Sequence, residues 1–486
     1  PAGSGLGGGG FAVVHVVSDA SPRDAWDFRE VAPAGAHRDM YLDGSGQVVE
    51  GRSTRGGLAV AVPGESRGLA ALITALGDRS HAQVAAPAIR LASKGFEVRP
   101  HLGRSLERTR YDAVRALFQG HGHLAMAGET VRNPELARTL RRWASTRGED
   151  LHTGAAARQV VQAARDTGGV LTLQDLAAYE PARRPVVQAR WGEHTLVTMP
   201  PPSSGGVVLA QVLQVLQDYP LKELGHNSSD YLHLLAEAMK HAYADRAHHL
   251  GDPGFVEVDV PALTGAERVA EVRRAIWPGR TFGPDYYGEV IAPPRDGGTQ
   301  HISVIDARGN AVALTTTINT SFGSGVVAGG AILNNEMDDF SAKPGAPNAY
   351  GLVGTEANAI APGKRPLSSM TPTLVLDADG QVVLSLGASG GSTIISATIQ
   401  VFLNMVVFGM DAQEAVSAPR MHHQWLPDTL WLEPGIPADV QRALQARGHT
   451  VVVREGFSAV QVARRLENGM AEGGADPRKG GWPAHP

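Results

Sequence analysis

The sequence predicts a mixed α/β protein, and three patterns carry that reading. Residues 299–305 and 311–318 alternate large apolar side chains with small or polar ones, as paired strands do. Residues 82–95, 134–167 and 230–247 read as helices, the first two regions clearly amphipathic. Beyond 318, short strand-like runs alternate with loops up to a long apolar stretch at 394–410. Ser396, Thr398, Gln400 and Asn404 interrupt that stretch, so it reads as a buried helix rather than a membrane span.

A chain of 486 residues buries a large core, and length alone suits two or three domains. The net charge of -5, with mixed signs, argues against nucleic acid as the main partner. The absence of cysteine excludes disulfides, thiolate metal sites and a cysteine nucleophile. No signal peptide is visible; the opening Pro1-Ala2-Gly3-Ser4-Gly5 is loop-like and fits a leader already removed.

Taken in order, Gly5-Leu6-Gly7-Gly8-Gly9-Gly10 formally satisfies G-x-G-x-x-G. That pattern cradles a dinucleotide only between a strand and a helix. Here a strand at 11–17 follows, so the glycines are read as allowing tight backbone packing at a strand entrance. Thr172 is placed to cap a helix over 171–178. Met199-Pro200-Pro201-Pro202-Ser203-Ser204-Gly205-Gly206 makes a rigid turn before a helix at 207–216. His241, Asp245 and His248 share i, i+4, i+7 spacing, but no zinc signature accompanies them, and a structural role is favoured. Residues 282–298, with several glycines and prolines, read as an exposed boundary. Strands follow at 326–334, 373–377 and 382–386, then a helix from Ser392, and finally a helix at 437–447 with strands at 450–454 and 460–464.

The turn Asp306-Ala307-Arg308-Gly309-Asn310 predicts a three-residue hairpin loop with Gly309 left-handed. With Asp306 opposite Asn310, Thr299 faces Thr317. One face then carries Ile302, Val304, Val312 and Leu314, the other Thr299, His301, Ser303, Ala313, Thr315 and Thr317. A threonine behind Gly297-Gly298 is ordinarily just a strand residue after a loop. The second reading is a nucleophile released by self-cleavage at Gly298–Thr299, whose freed α-amine, with a pKa near ~8, acts as base for its own hydroxyl.

Segments 7–11, 28–33, 199–206, 242–246, 251–253, 299–304, 334–341, 366–370, 390–392 and 476–478, in this order, resemble the γ-glutamyltranspeptidase family of N-terminal-nucleophile hydrolases. The resemblance implies a four-layer αββα sandwich and cleavage into a large subunit, 1–298, and a small subunit, 299–486. It makes Thr299 the nucleophile and Thr317 the hydroxyl that orients it. Arg29 would grip a substrate α-carboxylate, assisted by Ser368 and Ser369, since a guanidinium fork suits a bidentate contact. Asn319, Glu336 and Asp339 would hold the α-ammonium, Gly390 and Gly391 would form the oxyanion hole, and Tyr350 would lie in a lid.

The implied reaction is γ-glutamyl transfer or hydrolysis from glutathione and related amides, to water or to amino-acid or peptide acceptors. It needs no metal or organic cofactor and takes place in the periplasm or outside the cell. Family members usually carry several dozen further residues before the glycine run, and many have a small residue in place of Gln300. Two rivals stand beside this reading. One is a glutaryl-type β-lactam acylase of the same superfamily, whose substrate would leave Asp339 without a cationic partner. The other is a non-processing binding protein that keeps the fold.

Overall fold

The computed structural model describes residues 2–17, 24–120, 122–288, 298–343 and 355–484. Eleven strands build its two large sheets: β1 (Gly9–His15), β2 (Asp24–Phe28), β3 (Ala182–Pro185), β4 (Val187–Trp191), β5 (His194–Thr198), β6 (Gln300–Ile305), β7 (Ala311–Thr317), β8 (Thr373–Leu376), β9 (Val382–Ser389), β10 (Ala459–Arg465) and β11 (Ala471–Ala475). The first sheet runs β6-β7-β1-β2-β3 and the second β11-β10-β9-β8-β5-β4, with every neighbouring pair antiparallel.

The sheets stack face to face over Val13, Val197, Ala313, Leu374 and Val382. On the outer face of the first sheet, Ala12, Val14, Trp26 and Phe28 meet Ala71, Leu72 and Leu76 of helix α1 (Glu65–Leu76). Helices α2 (Gly205–Leu216), α3 (Ser229–His249) and α4 (Thr393–Val406) cover the other side, α2 and α4 against the second sheet and α3 behind α2. This is the expected αββα layering.

Helix α4 is apolar almost all round and buried along nearly its whole length, as the central helix of a large core is. Its polar residues find partners: Thr398 Oγ1 donates to Ile394 O, Gln400 Nε2 to Met421 O and Asn404 Nδ2 to Ala415 O. Among the described residues no helix is long and apolar enough to cross a membrane. Thr172 caps Leu173–Ala178 in a reciprocal box with Asp175, as its position predicted.

The hairpin has the predicted register, with Gln300 opposite Thr316, His301 opposite Thr315 and Ile302 opposite Leu314. Gly309 is left-handed at φ 93°, and Asp306 Oδ1 accepts the Arg308 and Asn310 amides. The hydroxyl-bearing face turns inward, where His301 Nδ1 lies 2.7 Å from Thr315 Oγ1 and Ser303 Oγ donates to Gln461 O of β10. Burial pushes the His301 imidazole down to about 3, so the contact with Thr315 is made by a neutral ring. The apolar face meets water, with Ile302 54% and Val304 46% exposed. Strand β6 is an edge, and α1 covers β1 and β2 instead of reaching it. The boundary at 282–298 is also only partly exposed, because Tyr287 is buried and donates to Glu237; residues 289–297 lie outside the described residues.

The glycine run packs as expected and leads into β1 rather than into a helix. Gly7 bridges Leu333, and a Cβ at Gly8 would fall onto the Thr317 carbonyl. A Cβ at Gly9 would meet the Glu30 carboxyl. Gly8→Ala should therefore push β1 off β7 and cost about 1–3 kcal/mol of stability, read as a lower denaturant midpoint; an unchanged midpoint would contradict this packing.

Glu65, at the start of α1, is buried, and that burial pushes its carboxyl up to about 8 against an opposing backbone contact at Gly5. Unfolded, it titrates near ~4.3. Between those values the native state binds more protons than the unfolded chain, so stability is full at acid pH and falls as pH rises towards 8. Denaturation at pH 5 and pH 8.5 should show the parent losing a few kcal/mol more than Glu65→Gln over this interval. Equal losses in the two proteins would remove Glu65 as the cause.

Candidate active site

Thr299 directly precedes β6, buried at 3% exposure, and its hydroxyl is 3.4 Å from that of Thr317 at the end of β7. Both hydroxyls donate to the Gly298 carbonyl, from 2.6 Å for Thr299 and 3.3 Å for Thr317. The Asn319 amide donates to Thr317 Oγ1 at 2.8 Å, which leaves the threonine proton directed towards Gly298 and Thr299. Asn319 takes a left-handed φ of 70°, where asparagine is tolerated better than most residues, and its carbonyl accepts the Gly298 amide. The peptide bond at 298–299 is thus held from both ends.

Arg29 follows β2 and is fully buried. Its backbone is fixed by Asp27 Oδ1, which accepts its amide, and by the Tyr179 hydroxyl, which donates to its carbonyl. The guanidinium pairs with Glu336 and, at 2.5 Å, with Asp339, and also donates to Pro366 O. Glu30 stands 3.8 Å away. Burial opposes the Arg29 charge, but Glu336, then Asp339 and Glu30, outweigh it and hold the group above its ordinary value.

Burial drives Glu336 well above the carboxylate range and raises Asp339, in both cases against the pull of Arg29. It pushes Glu30 up to about 8. Arg246 of α3 also faces Asp339, and burial lowers it to about 10. Three carboxyls therefore surround two guanidiniums, Arg29 and Arg246. A buried set of this kind suits a ligand that brings both a cation and an anion.

Ser368 and Ser369 close the same cavity. Ser204 donates from its amide and its hydroxyl to Ser368 O, Ser203 Oγ donates to Met370 O, and Arg246 Nε donates to Ser204 Oγ. Ser369 Oγ is buried with no hydrogen-bond partner among the described residues, which leaves it available to a ligand. Gly390 and Gly391, at φ 142° and 63°, lie between β9 and α4. A Cβ at Gly390 would strike Ser458 and the Phe457 carbonyl.

The cavity is lined by Arg29, Thr299, Thr317, Asn319, Glu336 and Asp339, together with Ser368, Ser369 and Gly391. Almost every residue singled out from the sequence thus meets in one place. Gly390 adjoins the lining through Gly391, and Tyr350 lies outside the described residues. The sequence reading missed the roles of Glu30, Ser203, Ser204 and Arg246. The available signals were an acid beside Arg29, the serine pair in segment 199–206 and the charge that ends segment 242–246.

The spacing of His241, Asp245 and His248 makes no metal cluster: Asp245 is bound by Arg268 and Gln211, while the His241 ring packs on Tyr287. Elsewhere His233, Glu237 and His449 bring donor atoms within 4.8 Å. His233, however, already bonds His449 and the Trp277 carbonyl, and Glu237 accepts from Thr281 and Tyr287.

The model of the gamma-glutamyltranspeptidase family matches residues 1–485. The glutathione hydrolase proenzyme of Escherichia coli (strain K12) is 40% identical over 98% of this chain and 83% of its own length. That of Pseudomonas aeruginosa is 41% identical over 98% and 86%. A cephalosporin acylase from Bacillus halodurans superposes with a TM-score of 0.82 at 27% identity, covering 100% of this chain and 89% of that one. The Helicobacter pylori gamma-glutamyltranspeptidase gives 0.56 at 34% identity over 58% and 82%. On a full-length family match and on relatives sharing about two residues in five, the chain is a member of the gamma-glutamyltranspeptidase family.

Proposed function

We propose that the protein cleaves itself at Gly298–Thr299 and then transfers or hydrolyses γ-glutamyl groups of glutathione and related amides. The observation that carries this is the meeting of Thr299 with the Arg29–Glu336–Asp339 cluster in one cavity. In processing, the Thr299 hydroxyl attacks the Gly298 carbonyl carbon, and Thr317, already donating to that oxygen, stabilises the charge it gains. The C–N bond breaks, the nitrogen takes a proton and becomes a free amine, and water hydrolyses the resulting ester. The products are the large subunit, 1–298, and the small subunit, 299–486.

In turnover the new amine accepts the Thr299 hydroxyl proton as the oxygen attacks the γ-carbonyl. The Gly390 and Gly391 amides receive the oxyanion, and α4, starting at Thr393, adds its positive N-terminal end. The leaving amine takes the proton, and water or an acceptor amine then resolves the γ-glutamyl ester. A substrate amino acid replaces the internal ion pairs. Its carboxylate takes the Arg29 fork with Ser368 and Ser369, and its ammonium takes Asn319, Glu336 and Asp339. Tyr350 completes this set as a lid residue. The same reading includes a periplasmic or secreted location, which rests on family membership.

Thr299→Ala should leave a single uncleaved, inactive chain on a denaturing gel, while the parent shows two bands; a cleaved and active variant would refute the mechanism. The similarity to a cephalosporin acylase keeps the glutaryl reading in play. Glutaryl groups lack the ammonium and would leave Asp339 unmatched. The kcat/KM for γ-glutamyl-p-nitroanilide should exceed that for glutaryl-p-nitroanilide by about a hundredfold or more. The opposite preference would make the protein an acylase.

A further inference from the structure

Glu336 and Asp339, the two acids that pair with Arg29, begin and end one short 3-10 turn, Glu336–Asp339. So short a turn does little to hold itself. Asp338 N donates to Asn335 O at 3.2 Å and Phe340 N to Met337 O at 3.4 Å, both long. Met337 is fully buried and anchors the middle. Arg29 grips both carboxylates, but in the reaction proposed above the substrate carboxylate takes that guanidinium. Something else must then keep the acids in place.

Two buried asparagines do so from outside the turn. Asn334 uses its whole side-chain amide: Oδ1 accepts the Glu336 and Ala61 amides, each at 3.0 Å, while Nδ2 donates to Gly7 O at 2.8 Å and to Ala61 O at 3.0 Å. Gly7 belongs to the glycine run before β1. Ala61 precedes Val62, which exchanges backbone hydrogen bonds with Val31, two residues beyond Arg29. The start of the turn is thereby fixed to both segments that frame Arg29. Asn358 secures the other end. Its Nδ2 donates to Asp339 O at 2.7 Å, and its Oδ1 accepts the amide of Leu367, the neighbour of Ser368, at 3.0 Å. Neither asparagine lines the cavity.

We infer that Asn334 and Asn358 are positioning residues for the substrate α-ammonium, holding Glu336 and Asp339 in place when the substrate carboxylate draws Arg29 away from them. Preference for an amino acid over its des-amino analogue then depends on two amides that the substrate never touches. The two contacts run in opposite directions. Asn334 meets the turn as an acceptor, a part an aspartate can also play. Asn358 meets it as a donor, which an ionised aspartate cannot replace. The inference rests on the γ-glutamyl reading, because it concerns the acids assigned there to the ammonium.

The measurement is kcat/KM for γ-glutamyl-p-nitroanilide divided by that for glutaryl-p-nitroanilide, on processed protein. A general fault in folding or at the nucleophile lowers both values alike and leaves their ratio where it was. Asn358→Asp and Asn334→Ala should each lower the ratio about tenfold, the scale of one lost buried hydrogen bond, while Asn334→Asp should stay within about threefold of the parent. If Asn334→Ala fails to fold, Asn358→Asp decides alone. A ratio unmoved in Asn358→Asp overturns the inference, and so does an equal fall in Asn334→Asp and Asn358→Asp. A folded variant that remains one uncleaved chain also overturns it, because the asparagine would then serve the scissile bond. If the unmutated protein prefers the glutaryl substrate, the γ-glutamyl reading itself fails and the inference falls with it. If it prefers the γ-glutamyl substrate and the variants leave the ratio unchanged, only the positioning role is lost.

Discussion

The close approach of residues 7–10 to β7 and to Leu333 governs the geometry of the whole site. Gly9 lies opposite Thr317 and Gly10 opposite Thr316, so β1 is wedged between the hairpin and β2. This places the strand leading to Arg29 two positions from the one ending in Thr317. A side chain at Gly8 would separate them. The Arg29 guanidinium and the hydroxyl pair owe their proximity to backbone contact and not to any direct bond between them.

Around that frame the charges compensate one another under heavy desolvation. Arg29 is kept ionised by the acids that burial raises, and Arg246 braces the Ser204–Ser368 contact while facing Asp339. Removing one partner from such a set leaves the rest uncompensated, which costs more than the removed contact itself contributes. The arrangement is better explained by ligand chemistry than by stability, since well-packed apolar groups would hold the sheets together at least as well.

Much of this was readable in the residues, for identifiable reasons. The hairpin register followed from a two-residue period and a turn that Asp306 and Gly309 specify locally. The glycine run was separable from a nucleotide loop because a strand, not a helix, follows it. The cluster of site residues came from ordered motifs, not from any local physical signal. Long-range properties were hidden. The exposure of Ile302 and Val304 depends on β1 pairing with β7 and leaving β6 at the edge. The roles of Ser203 and Ser204 depend on residues 368–370, and that of Arg246 on Ser204 and Asp339, all distant in sequence, while Glu30 acts through charges that only the fold gathers. The shared face of His241, Asp245 and His248 was real as a periodicity, but Arg268 and Tyr287 occupy it.

Both sheets draw strands from either side of residue 298. In the first, β1 is hydrogen-bonded to β7, and in the second β5 is hydrogen-bonded to β8. Severing one peptide bond removes none of those ladders, so scission alters chemistry at a terminus without dissolving the architecture. It also makes the order of events one-way. The scaffold that aims the hydroxyl exists only after distant segments have interleaved, so the proposed scission would wait on complete folding, and segments 1–298 and 299–486 made apart would each begin with two unfinished sheets.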